Sequence, residues 1–123
     1  MRLIQFTALA ALAVAAPASA APGDVNAQAF FARAMALKAK GAMALFSGDI
    51  KPMKTQMQDA GTRVRAENIA ARKRGVPLYC PPAKARGDEK FVIDGLAAIP
   101  EAHRKQLTLT QAWRELLMAK FPC

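Results

Sequence analysis

Past its first twenty residues the chain repeats apolar positions at helical spacing and shows no clean period-two run. Four helices follow from this pattern. The stretch 26–47, NAQAFFARAMALKAKGAMALFS, places Ala27, Phe30, Ala34, Leu37, Gly41, Ala44 and Leu45 on one face. Phe31, Met35, Ala42 and Phe46 form a second apolar stripe well round from the first. A helix apolar on two sides is central in its domain or sits at an interface, so Phe31, Met35 and Phe46 are expected to be buried, centrally or in a two-fold homodimer. A second helix spans 50–74, opened by Asp49 and Pro52 and closed at Gly75 after Lys73 and Arg74. Its core face is Ile50, Met53, Met57, Ala60, Val64 and Ala71.

The stretch VPLYCPPAKARG, with three prolines and a glycine, is looped or extended. Asp88 caps a third helix to Ala98 that buries Phe91, Val92, Gly95, Leu96 and Ile99, and Pro100 ends it. Thr108-x-x-Gln111 fits a capping box that opens a fourth helix running to Lys120, with Leu109, Ala112, Trp113 and Leu116 inward. The expected fold is all-α, a small bundle of about four helices.

The first twenty residues are of another kind. Arg2 precedes an apolar run from Ala8 to Ala16, and Ala18-Ser19-Ala20 is a small-x-small pattern. This reads as a secretory signal peptide over 1–20, followed by a short leader over 21–25 and a single helical domain over 26–123. The alternative, an uncut membrane anchor, is opposed by the shortness of the run; no second such run follows, and stable membrane insertion is not expected. Export to an oxidising compartment gives the two cysteines a meaning. They allow one pairing, Cys80 with Cys123, against the alternative of two free thiols. That bridge would tie the last helix to the central loop, and loop entropy assigns it about 4 kcal/mol.

Charge alters the picture in the middle of the chain. The net charge is +9, and removal of Arg2 with the signal leaves +8. Nine basic residues stand against two acidic ones between Lys51 and Arg86. Such a stretch fits an acidic partner: a protein, an anionic membrane surface or a cell-wall polymer. The bland alternative is a solvated surface. Nucleic acid, the other usual partner, is disfavoured by export and by the lack of interleaved aromatic residues. Lys54, Arg65 and Arg72 fall on one flank of the second helix, and Arg74, Lys84 and Arg86 surround the proline loop. These six residues are the candidate partner-binding set.

Catalytic chemistry finds little footing. His103 is the lone histidine, beside Glu101 and Arg104, and makes neither a metal site nor a triad by itself. The cysteines form no C-x-x-C, and no glycine loop is built to cradle phosphate. Asp88, Glu89 and Asp94 sit near a helix start, where the dipole favours them. No catalytic residue, metal site or cofactor is expected. The methionines Met35, Met43, Met53 and Met57 are read as core filler rather than an adaptable binding surface.

Three elements in the second half carry a family likeness. They are Tyr79-Cys80-Pro81-Pro82, a helix stopping at Ile99-Pro100, and a last helix closing on Phe121-Pro122-Cys123. Over roughly residues 75–123 the chain resembles the Tai/Rap family of exported immunity proteins, which guard bacteria against type VI secretion effectors that are peptidoglycan amidases. The resemblance implies a small, all-helical, periplasmic protein, often dimeric, that acts by occluding a secreted peptidoglycan amidase and performs no chemistry. It carries over no effector-contacting residue. The competing expectation is a periplasmic helical protein that binds an anionic envelope polymer or another acidic partner through the basic stretch.

Overall fold

The computed structural model describes residues 20–85 and 87–123. Described residues form a 3-10 turn at Pro22–Asp24, then α1 (Ala27–Lys40), a 3-10 segment (Gly41–Phe46), α2 (Ile50–Lys73), α3 (Glu89–Ala98), α4 (Glu101–Arg104) and α5 (Leu109–Lys120). The fold is all-α: among the described residues the one β-type pairing is an isolated bridge between Asn26 and Thr108.

α2 is the longest helix and packs against α5 and the N-terminal turn, while α1 and α3 close the other side of the core. The core centres on Phe30, Val64, Leu96, Leu109, Trp113 and Leu116. The expected inward positions of α5, Leu109, Ala112, Trp113 and Leu116, are all buried. Its capping box forms as the sequence specifies: the Gln111 N–H donates to Thr108 Oγ1 at 3.1 Å and the Thr108 N–H to Gln111 Oε1 at 2.9 Å. Asp88 caps α3 by accepting the Phe91 N–H at 2.8 Å. Ile93 is buried on α3, whereas Phe91 and Val92 are half-buried.

Two expectations are corrected, the end of the first helix and the burial of its second stripe. The first helix does not reach residue 47. Gly41 takes φ 57°, a conformation costly to residues with a Cβ, and α1 ends there. The 3-10 segment beyond it buries nothing, and Leu45 and Phe46 are 80% and 84% exposed. Phe46 therefore lies off α1, and the stripe Phe31–Met35–Phe46 does not exist as one surface. Met35 is exposed, and Phe31 is half-buried beneath the Arg104 guanidinium, 4.2 Å from its ring centre. Asp49 stands at the N-cap of α2, as expected, without a side-chain bond to the helix; its own N–H donates to Ser47 Oγ at 3.2 Å. The short leader, residues 21–25, packs against the helices. Gly23 is buried, and the Leu109 N–H donates to the Val25 carbonyl at 2.7 Å.

Two buried polar residues organise the connections. Asn68, on the core side of α2, donates to the Tyr79 carbonyl at 3.0 Å and accepts from the Leu78 N–H at 2.8 Å. Arg104 lies in the turn after Pro100 and is 7% exposed. Its Nη1 donates to the carbonyls of Leu96, at 3.0 Å, and Ile99, and its Nε donates to Gln28 Oε1 at 2.7 Å. A guanidinium thus satisfies the carbonyls that α3 leaves open at its C-terminus.

Cys80 and Cys123, 43 positions apart in sequence, are joined in a disulfide with Cα atoms 4.9 Å apart. The Cys80 N–H donates to the Phe121 carbonyl at 2.8 Å, so covalent and hydrogen bonds fasten the proline loop to the end of α5 together. No helix among the described residues is long and apolar enough to cross a membrane.

Candidate partner-binding groove

The proline loop cannot pack as a helix, because Pro77, Pro81 and Pro82 lack the N–H that a helix needs. Held at one point by Asn68 and at another by the disulfide, it stands off from α2 and α5. A groove of about 780 Å³ opens between them. Gly61, Arg65, Ile69 and Arg72 of α2 form one wall, and Pro81, Pro82, Ala83 and Ala85 form the other.

Its floor is aromatic. Phe91 meets Trp113 edge-on at 5.9 Å between ring centres and stacks on Phe121 at 5.9 Å. Each contact is of the geometry that adds to simple area burial. Tyr79 lines the same floor, and burial pushes its phenol above the ordinary tyrosine range, with a smaller opposing pull from Arg65.

Arg65 and Arg72 are exposed on the rim, and among the described residues neither makes an ion pair. Seven positions apart on α2, they are separated by about 10 Å along the helix axis. Neighbouring arginines behave differently. Arg114 grips Glu67 through two hydrogen bonds of 2.6 and 2.7 Å, and this pairing holds the Glu67 carboxyl below its usual range. Arg63 is bound to Asp24 at 2.7 Å. The two rim arginines are therefore available to an outside anion.

Of the six residues expected to bind a partner, the structure brings Arg65 and Arg72 together on this groove. Lys54 does not join them, because it lies near the opposite end of α2. It lines a second groove of about 780 Å³ with Lys38, between α1, the 3-10 segment and α3. Arg74 caps the C-terminal end of α2 and Lys84 lies in the loop turn; both are exposed, and neither lines the groove. Arg86 lies outside the described residues. The groove's aromatic floor was not anticipated as a site. Phe91 and Trp113 read along the chain as core residues and Phe121 only as part of the closing Phe-Pro-Cys, whereas all three line the groove beside the proline loop.

His103 contacts Glu115 at 2.8 Å on the surface. Among the described residues no group of three or more His, Cys, Asp or Glu side chains is placed to hold a metal ion. The arrangement offers two cations, an aromatic floor and a covalently tied wall, which suits binding an anionic surface that also carries an apolar side chain. Compared with family models, curated proteins and solved structures, the chain finds no match.

Proposed function

We propose that this chain is an exported, periplasmic binding protein of the immunity type, which neutralises a secreted peptidoglycan amidase by occluding its cleft. The observation that carries the proposal is the pair Arg65 and Arg72, without an ion pair among the described residues, above the Phe91–Trp113 floor. Exposed cations speed encounter with an acidic surface and make it sensitive to salt. An apolar floor supplies the affinity that rim charges alone do not. The disulfide fixes one wall in advance, which lowers the ordering cost of binding. The likeness over residues 75–123 to the Tai/Rap proteins names the kind of acidic partner, and the disulfide is in keeping with export.

The test mixes the purified protein with a secreted peptidoglycan amidase, taken from the neighbouring gene where the locus encodes one, and follows both amidase activity and the fluorescence of Trp113, the chain's only tryptophan. Loss of amidase activity together with a change in Trp113 emission is the expected result. Full amidase activity at saturating protein contradicts the immunity reading. If the protein then binds an anionic envelope polymer with the same emission change, the groove belongs to the polymer instead.

A further inference from the structure

Two carboxylates and one guanidinium meet where the N-terminal turn crosses α2. The turn is held firmly there. The Gly23 N–H donates to Asp59 Oδ2 at 2.8 Å, and its carbonyl accepts from Thr110 Oγ1 at 2.9 Å. A Cβ on Gly23 would lie 2.6 Å from Thr110 Oγ1 and 2.8 Å from Asp59 Oδ2, so only glycine seats without displacement. Pro22 has no N–H to give. The Ala21 nitrogen therefore supplies the next bond, to Asp24 Oδ2 at 2.9 Å. The other Asp24 oxygen accepts from Arg63 Nη1 at 2.7 Å, and the same Nη1 lies 3.6 Å from Asp59 Oδ2.

The charges around this point do not balance. The turn contributes Asp24, and α2 contributes Asp59 and Arg63. α5 contributes the neutral Thr110, and the next charges out, Glu67 and Arg114, neutralise each other. Among the described residues one negative charge is left over, and the Ala21 nitrogen stands against Asp24. Ala20, the residue before, is exposed and completes the small-x-small pattern Ala18-Ser19-Ala20.

We propose that the Ala20–Ala21 bond is the processing site, and that the α-ammonium created at Ala21 is the missing cation, seated on Asp24 Oδ2. The inference rests on the export reading. Hydrolysis adds one water across the peptide bond: Ala20 leaves as a carboxylate with the leader, and the Ala21 nitrogen becomes an amine that takes up a proton. An amide N–H on the Asp24 carboxylate is thereby replaced by an ammonium N–H, so that both partners of the bond carry charge. Two cations then face two carboxylates, and the processed end is locked onto α2. Processing stabilises the fold as well as releasing the leader.

The test uses protein exported from the full-length gene. Mass spectrometry of the product should place its first residue at Ala21. Export with processing at another bond overturns the inference and leaves the export reading standing, whereas a chain that is neither exported nor cut overturns both. The α-amine is then acetylated at neutral pH, where lysines stay protonated. At pH 6 the free form should melt about 4 °C above the acetylated form. In Asp24→Asn that gap should close, because the seat is gone. The sign with pH follows: an ammonium stabilised in the folded state contributes below its ordinary range, near about 8, and loses that contribution as pH rises through its higher folded value. The gap should vanish by about pH 10.5, and this pH comparison in the wild-type protein carries the test if Asp24→Asn does not fold. Equal melting of free and acetylated wild-type protein at pH 6 overturns the lock.

Discussion

Asn68 and Tyr79 are joined through both chemical ends of one side chain. Asn68 Nδ2 donates to the Tyr79 carbonyl at 3.0 Å, while its Oδ1 accepts the Tyr79 N–H at 3.3 Å and the Leu78 N–H at 2.8 Å. The amide thus stands in for the secondary structure that the proline loop cannot make. It also sets where that loop begins, and hence how wide the groove opens above Trp113.

Replacing Asn68 by Ala strands the Leu78 and Tyr79 backbone groups in a buried site. Unfolding in urea should show a loss of about 2–3 kcal/mol. Asn68→Leu, which fills the volume without the bonds, should recover little of it. A loss below about 0.5 kcal/mol would remove Asn68 from the loop's anchoring.

Arg104 yields a prediction that separates charge from shape. Its planar fork reaches the carbonyls of Leu96 and Ile99 and lies over Phe31 at once. Lysine keeps the charge and loses the fork. Arg104→Lys should therefore cost about 2 kcal/mol or more, close to the cost of Arg104→Met, in thermal or urea unfolding. A lysine variant as stable as the wild type would show that charge alone suffices there.

The Glu67–Arg114 pair makes stability depend on pH. Hydrogen bonding to Arg114 holds the Glu67 carboxyl below its ordinary value. A carboxyl depressed in the folded state contributes stability above its unfolded value and loses it as pH falls through the folded value. Both side chains are about one-third exposed, so solvent screening holds the contribution to about 1 kcal/mol. Glu67→Gln should lower stability by that amount at pH 7 and by nothing at about pH 2. Unequal stabilities at the low pH would point to lost packing rather than lost charge.

Removing the disulfide should act on stability and on the groove together. For a bridge closing a loop of 43 positions, Cys123→Ala is expected to cost about 2–4 kcal/mol in non-reducing urea unfolding. With the proline wall released, partner binding should weaken as well, chiefly through faster dissociation. Binding unchanged in Cys123→Ala would show that the wall does not need its covalent tie.

Much of this fold is written in the chain's periodicity. α5 was legible to its capping box because Thr108, Gln111 and four inward apolar residues all specify the same helix. α2 was legible too, with one gap: its inward list passes from Val64 to Ala71, and the position between them on that face is Asn68. A buried asparagine is recognisable only once its partners are known, and those lie in the loop ten and eleven positions on. Arg104 was missed for the same reason, since a basic residue after Pro100 reads as exposed until α3 aims its open carbonyls at it. The end of α1 was misplaced because Gly41 sits at an apolar position, so periodicity continues through a residue whose backbone stops the helix. The groove was half legible. Helical spacing put Arg65 and Arg72 on one flank, but it also put Lys54 there, since angular position carries no information about distance along the axis.

The central claim is that Arg65 and Arg72 present the partner-binding face, and stopped-flow association measured through Trp113 tests it most directly. The double variant Arg65→Glu/Arg72→Glu replaces two exposed side chains and should fold with unchanged stability. Mixed with a secreted peptidoglycan amidase of the kind proposed as its partner, the wild-type protein should associate with a rate that falls as salt rises, and the double variant should associate at least about tenfold more slowly with little salt dependence. Equal association rates and equal salt slopes for the two proteins would contradict the account.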